Sequence, residues 1–513
     1  MIALDHDAIV SLIPPHARSL LELGCGAGSV GERFKKIQPQ CRYFGIDRDR
    51  EQLQQAARVL DRAAVEADWN LDLSRYGIME VDCILIHSGY WQGGEREIAD
   101  RLDYFCKFLS VKGQMILLTG EDRLRLCLDA ALTELPMLQC SRRNLGEVTV
   151  IRLFRSQAPS LTIHTFAAEP VTARIRIMLP DQYCSTDPTV RIREDFCYPD
   201  VSLLRDDEQI CIMQRCLIRS FEQADDALTA LAGTHRLLIN EFDDAPFLWT
   251  TDPEYGLFVG VHVIQTSTPA LADVFREYNP YVLTFENHVA SLPPLKRPDF
   301  NSDCVTIFFG AINRREDWQT IMPVINSLIQ QYGSRLSFLV AGDREFYDAL
   351  ATENREYLSG GDGSLAPYEA YLSALHRADI ALLPLRDTPF NRLKSDLKFI
   401  EAAAQGTVVL ASPTVYAHTV RDGRTGFLYH DQVEFRQLLS LLIEHPLLRW
   451  ETAQLAYAYV RENRLLADHY EERIDAYREL LRYWEELERE RQRRMIRLRQ
   501  QVAIRSSSGH GAV

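Results

Sequence analysis

Between Phe390 and Tyr429 the chain reads FNRLKSDLKFIEAAAQGTVVLASPTVYAHTVRDGRTGFLY, and it places lysines where a helix ordinarily carries acids. Ser395 is a good N-cap and Gly406 a good stop, so the spacing predicts a helix of about three turns between them. A helix N-terminus carries partial positive charge and favours carboxylates in its first turn. Here Lys394 and Lys398 bracket that end instead. An anion resting on the free backbone N–H groups accounts for both lysines, and a diphosphate is the usual one. Lys394, Lys398 and Glu401 fall at i, i+4 and i+7 on one face, while Leu397, Ile400 and Ala404 form the opposite face that would pack on a sheet. Glu401, one turn beyond the phosphate position, would accept hydrogen bonds from ribose hydroxyls. The plainer alternative is a solvated face carrying a Lys398–Glu401 ion pair.

A second set of residues lies near the N-terminus. The apolar run Leu20 to Leu23 leads into Gly24-Cys25-Gly26-Ala27-Gly28 and a helical stretch from Val30 to Ile37. Further on, Tyr43-Phe44-Gly45-Ile46-Asp47 reads as a strand ending in an acid. Glycines at such a turn let a ligand approach the backbone, and Asp47 would take both ribose hydroxyls. Gly26-x-Gly28-x-x-Gly31 also satisfies the dinucleotide fingerprint, so spacing alone leaves the ligand open. A third candidate is Glu241-Phe242-Asp243-Asp244 after the apolar run RLLIN. An acid-x-acid triplet there could chelate a divalent ion bridging a diphosphate; the alternative is carboxylates that cap a helix or stay solvated.

The elements that must position these residues are short apolar runs alternating with helical segments, the pattern of parallel α/β sheets. Examples are ARIRIML, QICIMQR, RLLIN, GLFVGVHV, YVLTF, VTIFFGA, LSFLVAG, IALLPL and TVVLA. A length of 513 residues and a hydrophobic fraction of 46% fit about three domains with full cores. One boundary is expected in RSQAPSLTIH, residues 155 to 165, and another in the proline-bearing HVASLPPLKRPDFNSDC, residues 288 to 304, a candidate hinge. Ser267 or Thr268 before Pro269 reads as an N-cap with proline at the first helical position.

From about Arg174 to Leu465 the chain resembles the GT-B glycosyltransferases of the group 1 (family 4) type that build bacterial surface glycans. The words that carry the resemblance are PVINSL after FFGAINRREDW, then LSFLVAGD, YLSALHRADIALLPL, KSDLKFIEAAAQGTVVLAS and VRDGRTGFLY. It implies a C-terminal Rossmann-like half that holds a nucleotide-sugar donor, with the acceptor facing the half from Arg174 to Asn287. The implied donor-binding residues are Gly310, Asn313, Ser395 and Glu401, and the implied catalytic cations are Lys394, Lys398, Arg314 and Arg315. These cations would stabilise charge growing on the departing diphosphate without a metal. The family's pair of glutamates separated by seven residues would place the first on Leu393, which leaves the donor sugar and the stereochemical outcome open.

The N-terminal part resembles class I S-adenosylmethionine-dependent methyltransferases: Glu22-x-Gly24-x-Gly26-x-Gly28 is similar to their first motif and GIDRDREQLQQA to their second. Ala67-Asp68 is similar to the acid near adenine, VDCILIHSG to their fourth strand, and LSVKGQMILL to the strand after it. The resemblance implies S-adenosylmethionine held by Glu22, Gly24, Gly26, Gly28, Asp47 and Asp68, with His87 and Tyr90 near the methyl acceptor. A histidine after a strand is also a common structural residue. Catalysis and a fold kept for packing both remain open for this domain.

The expected architecture is therefore α/β throughout: a methyltransferase-like sheet over 1–156, a GT-B acceptor half over 165–295, a donor half over 300–465, a charged C-terminal helix over 466–505 and a disordered tail over 506–513. A formal net charge of -15 opposes nucleic-acid binding. Arg174, Arg176, Arg191 and Arg193 would meet a phosphorylated acceptor or remain solvated. The arginine-rich RERQRRMIRLRQQ would touch anionic headgroups, where a lipid-linked acceptor would lie, or form a solvated extension. Eleven cysteines without metal spacing, no basic and apolar leader in MIALDHDAIV and no bilayer-length apolar run predict a cytoplasmic protein, peripheral to the membrane at most. The expected function is sugar transfer to a glycan or lipid-linked acceptor in surface polysaccharide assembly, with a fused methyltransferase. The alternatives are a glycan methyltransferase whose GT-B part binds glycan, and a non-catalytic scaffold.

Overall fold

Parallel strands covered by helices on both faces must be apolar at nearly every position. Ile210–Gln214, Leu237–Glu241 and Val408–Ala411 are accordingly buried throughout. The computed structural model describes residues 5–66, 73–78, 80–90, 94–120, 122–133, 135, 138–145, 148–154, 161–167, 173–216, 221–248, 256–296, 303–360 and 365–508.

The N-terminal domain holds β1 (Ser19–Leu23), β2 (Arg42–Asp47), β3 (Arg62–Val65), β4 (Val81–Ile86), β5 (Leu109–Thr119), β6 (Gln139–Leu145) and β7 (Val148–Phe154). They form a seven-stranded sheet in the order β3-β2-β1-β4-β5-β7-β6, in which β7 runs antiparallel to both neighbours. The middle domain holds β8 (Leu161–Ala167), β9 (Val190–Asp195), β10 (Ile210–Gln214), β11 (Leu237–Glu241), β12 (Val263–Thr266) and β13 (Val282–Thr284). The third holds β14 (Val305–Gly310), β15 (Leu336–Ala341), β16 (Arg355–Leu358), β17 (Ile380–Leu383), β18 (Val408–Ala411) and β19 (Phe427–Leu428). Both are six-stranded sheets, ordered β13-β12-β11-β10-β8-β9 and β16-β15-β14-β17-β18-β19. The chain order reverses beside β8 and β10, and beside β14 and β17, and ligands of open α/β sheets bind at such switch points beyond the strand C-termini.

Two expected strands differ. ARIRIML is a π-helical turn, Arg174–Met178, that continues into helix Leu179–Cys184. Its strand-like alternation misleads because Arg176 points inward: its guanidinium, 1% exposed as a residue, donates to Glu241 at 2.7 and 3.3 Å and to the Phe285 and Thr266 carbonyls. GLFVGVHV divides into helix Gly256–Val259 and the start of β12, and β8 begins at Leu161, within the span expected as a linker. Thr268 caps helix Pro269–Phe275 through the Leu271 amide, as its sequence predicts.

Beyond the third sheet the chain returns to the middle domain. Val289 donates to the Arg464 carbonyl at 3.0 Å and accepts from Leu466 at 2.9 Å, so the outgoing and returning segments pair at the hinge. Helix Leu466–Arg482 then packs Tyr470, Ile474 and Tyr477 against Ile163, Ile212 and Leu237. Helix Trp484–Ser508, expected to be solvated or lipid-facing at its arginine-rich end, instead lies along the same domain. Met495 and Leu498 are buried, Arg494 donates to the Val259 and Val261 carbonyls, and Arg499 pairs with Asp225. No described helix is long and apolar enough to cross a membrane.

Candidate active site

The segment that opens the phosphate-binding candidate is shorter than its sequence predicts. Helix Leu397–Ala404 has Asp396, not Ser395, at its N-cap. Lys394 is extended after the turn Asn391–Leu393, and this swings Ser395 toward the middle domain, where its hydroxyl accepts from Asn287 Nδ2 at 2.9 Å. The Asp396 carboxylate is held by Arg464 at 2.7 and 2.9 Å and by the Thr419 hydroxyl at 2.7 Å.

Lys394, Ser395, Lys398 and Glu401 line one cavity of about 440 Å³ with Gly310 and Arg314. It lies between the two six-stranded domains, because Arg174 of the middle domain closes one side and donates to Glu369 of the third. Lys398 donates from Nζ to the Gly310 carbonyl. Burial pushes its ammonium below the usual lysine range, with Glu401 pulling the other way. Lys394 Nζ is 2.7 Å from Asp244 Oδ1, across the domain boundary, and burial lowers its pKa against the pull of that carboxylate. Arg314 Nη1 donates to Asn391 Oδ1 at 3.0 Å, and its guanidinium and the Lys394 ammonium both lie over the Phe390 ring. Glu401 is 3% exposed and accepts from the Tyr368 hydroxyl at 2.8 Å. Burial raises its pKa, while Lys398 and the hydroxyls of Tyr368 and Tyr371 oppose that rise.

Gly310 is needed for packing as well as position: a Cβ there would sit 2.6 Å from both Phe308 and Tyr371. Arg315 and Asn313 are not brought into the cavity. Arg315 faces Glu345 at 3.5 Å on the exposed side, and Asn313, exposed with φ +53°, turns the loop. Sequence reasoning missed Tyr368 and Tyr371, and it named Asp244 only as a metal-ligand candidate, not as the partner of Lys394. The two tyrosines are spaced i, i+3 at the start of helix Tyr368–Arg377, a pattern that by itself reads as packing.

The acidic triplet does not converge. Glu241 is buried against Arg176, Asp243 accepts from Arg215 Nε at 2.7 Å, and Asp244 takes Lys394. Among the described residues no group of three or more His, Cys, Asp or Glu side chains is placed to hold a metal ion. The other candidate arginines divide: Arg174 faces the cavity, Arg191 pairs with Asp207, and Arg193 pairs with Glu208 and Asp195.

In the N-terminal domain, Gly24, Gly26 and Gly28 all have positive φ, the left-handed geometry that a tight turn after β1 requires. Asp47 ends β2 and accepts from the Gly26 amide at 2.7 Å and from the Arg48 and Asp49 amides at 2.7 and 3.0 Å. Backbone and acid thus fit an adenosyl ligand, and neighbouring side chains pack closely against the loop. A Cβ on Gly24 would meet His87 and the Tyr90 ring at 3.0 and 3.2 Å, and one on Gly26 would meet Gln52 Oε1 at 2.8 Å. Tyr90 is buried, with its hydroxyl on the Glu66 carbonyl and Arg48 over its ring. Glu22 is buried between Tyr43 and His87, which accounts for His87 without catalysis. Asp68 lies outside the described residues.

Residues 303–445 match the family model described as Glycosyl transferases group 1, so the third domain is a group 1 glycosyltransferase domain. No curated protein is detectably similar in sequence to the chain. Among solved structures the chain is similar to HepE of Anabaena in complex with UDP and glucose, at 11% identity over 62% of this chain and 100% of that one, with a TM-score of 0.43. It is also similar to a TehB-like SAM-dependent methyltransferase from Corynebacterium glutamicum, at 17% identity over 29% of this chain and 86% of that one, with a TM-score of 0.23. A third similar structure is precorrin-6y C5,15-methyltransferase from Geobacter metallireducens, at 17% identity over 29% and 87%, with a TM-score of 0.24.

Proposed function

We propose that the middle and third domains form a GT-B glycosyltransferase that moves a sugar from a nucleotide-sugar donor to an acceptor hydroxyl. The observation that carries this reading is the convergence of Lys394, Lys398, Arg314 and the N-terminus of helix Leu397–Ala404 on one cavity between two Rossmann-like domains. As the bond from the sugar to the diphosphate breaks, charge grows on the departing oxygens, and cations already fixed there stabilise it without reorganising. Glu401 would hold the ribose, and Gly310 and Ser395 would border the diphosphate. Arg315 is left out of this set because it faces away. Closure about the hinge at Val289 and Leu465 would complete the site. A glycan or lipid-linked acceptor, a place in surface polysaccharide assembly and a cytoplasmic location are carried over from the family resemblance, as are domain limits near 1–156, 165–295 and 300–465.

The N-terminal domain is read as a methyltransferase-like partner. S-adenosylmethionine, if bound, would lie on Gly24, Gly26 and Gly28 with its ribose on Asp47, and would supply an electrophilic methyl group.

Incubation of the pure protein with a panel of nucleotide sugars, read as released nucleotide, tests the transferase reading. Lys394→Ala with Lys398→Ala should abolish release and leave S-adenosylmethionine binding unchanged. Undiminished release by this double variant overturns the reading.

A further inference from the structure

The cavity has a direction. Glu401 and Lys398 follow one another toward the N-terminal end of helix Leu397–Ala404, about 5 Å apart along its axis at 1.5 Å per residue, and Lys394 continues beyond it in extended chain. That order suits a nucleoside followed by its diphosphate. With the ribose at Glu401 and the phosphates at Lys398 and Lys394, whatever is esterified to the outer phosphate must emerge beyond Lys394. The residue before Lys394, Leu393, is buried in the middle domain's apolar cluster with Phe242 and Phe258. Lys394 itself reaches Asp244, which the middle domain supplies from the loop after β11.

Asp244 is placed to hold something besides Lys394. Its Oδ1 takes the Lys394 ammonium at 2.7 Å and the Ala245 amide at 2.9 Å. Among the described residues no hydrogen bond reaches its Oδ2, and Arg215 Nη2 stands 3.9 Å from it. Neighbouring groups keep the loop in place. Glu241 is anchored on Arg176, and Asp243 on Arg215, whose own φ of +48° turns the chain after β10. The Asp244 side chain is only 11% exposed and fixed beside the phosphate-binding lysine. A carboxylate oxygen that takes no hydrogen bond from a described residue matches a sugar hydroxyl, which donates where the carboxylate accepts.

We propose that Asp244 is a donor-sugar contact of this site, and that it selects neutral, hydroxyl-bearing sugars over acidic ones. The proposal rests on the glycosyltransferase reading above and refines it. Because Asp244 and the lysines belong to different domains, the sugar site exists only when the cleft is closed. A sugar carboxylate at that place would face Asp244 with like charge and without solvent to screen it. Asp244 also competes with the diphosphate for Lys394, so its removal should affect nucleotide and sugar in opposite directions.

The experiment uses the full chain with UDP and GDP as probes of the diphosphate site and UDP-glucose, UDP-glucuronate and GDP-mannose as donors. Asp244→Asn, which keeps shape and the Ala245 contact, should bind the free diphosphate as tightly as wild type or several-fold tighter. Its kcat/KM for the neutral-sugar donor should fall about 30-fold or more, and its preference over UDP-glucuronate should shrink. Asp244→Glu should recover part of the donor use, and unchanged melting temperatures show that neither variant acts through folding. Parallel loss of diphosphate and donor binding in Asp244→Asn would mean that Asp244 only positions Lys394, and overturns the proposal. Unchanged kcat/KM, or a wild-type preference for UDP-glucuronate, overturns it as well. Failure of wild type to bind any of the diphosphates defeats the transferase reading itself, a result distinct from all of these.

Discussion

Glu401 weakens the folded protein as long as it is charged. Burial raises its pKa above the ordinary value of about 4.5, so the folded state binds a proton more tightly than the unfolded chain does. Stability from such a group is fully present below the unfolded pKa and lost as pH rises through the folded one, each tenfold difference in proton affinity being worth about 1.4 kcal/mol. Glu401→Gln should therefore raise the melting temperature at pH 7 and leave it unchanged below about pH 4, as scanning calorimetry across pH can check. If the carboxylate binds ribose, the same variant should weaken nucleotide diphosphate binding about 10- to 100-fold, because a charge-assisted hydrogen bond is worth about 1.5–3 kcal/mol. A residue that costs stability yet holds ligand is what a binding site looks like, and a gain in both properties would argue that Glu401 is merely a misfit of the core. Tyr90 poses the converse question in the N-terminal domain. If it plugs a working cofactor loop, Tyr90→Ala should strengthen S-adenosylmethionine binding in titration calorimetry, and Gly26→Val should prevent it. Binding by neither wild type nor Tyr90→Ala would indicate a fold kept for packing.

At the scale of elements, the phosphate helix depends on a residue that never reaches the cavity. Asp396 caps helix Leu397–Ala404 in position only; its carboxylate clasps Arg464, which sits where the chain returns to the hinge. Both side chains are largely buried, and removing one partner of such a pair costs about 3–5 kcal/mol. Asp396→Ala should lower the melting temperature and also weaken diphosphate binding, since the helix N-terminus and the hinge lose their common anchor. Arg464→Ala should reproduce both effects, and a variant that loses stability but keeps full nucleotide affinity would separate them. Asp396 also explains why the helix was only partly legible in sequence. Ser395 and Asp396 are equally good capping residues by type, so long-range bonds to Asn287 and Arg464 decide the geometry, and no local pattern encodes them. The buried parallel strands were readable because each is a run such as VTIFFG or IALL, apolar on both faces. Arg176 broke the same rule in ARIRIML, where burial of an arginine depends on Glu241, 65 residues away. The lysines and Glu401 were legible by spacing; Asp244 stood out only as part of an acidic run, and its pairing with Lys394 across the domain boundary was not legible.

At the scale of the whole molecule, the N-terminal domain does not hang from a linker. It rests on the segments that join the other two. His16 Nδ1 lies 2.5 Å from the Tyr470 hydroxyl, Arg18 and Gln38 hold Asp468 at 2.7 and 3.0 Å, and the Lys36 carbonyl accepts from the Leu292 amide. Arg152 donates to the Ser185 and Thr186 carbonyls of the middle domain, and Ile37 packs against that domain's core. Leu292 and Asp468 each stand three residues beyond the parallel Val289–Leu465 pairing, so the domain touches both strands of the hinge. A body fixed to both strands restricts how far the two transferase halves can separate, and any ligand that stiffens it must alter that restriction. Asp468→Ala with Tyr470→Phe removes the polar contacts to helix Leu466–Arg482 made by His16, Arg18 and Gln38, and leaves the backbone contact at Leu292, the Arg152 contacts and the apolar ones. In the wild type the N-terminal domain and hinge should protect their amides from exchange together; in the double variant the N-terminal strands should exchange sooner while the β14–β19 sheet stays protected. The same variant should open the cleft more readily and show a higher KM for donor with kcat little changed, because closure then carries a larger entropic cost. An unaltered exchange pattern with unaltered KM would mean that the docking serves only to join the domains, and that the hinge moves independently of them.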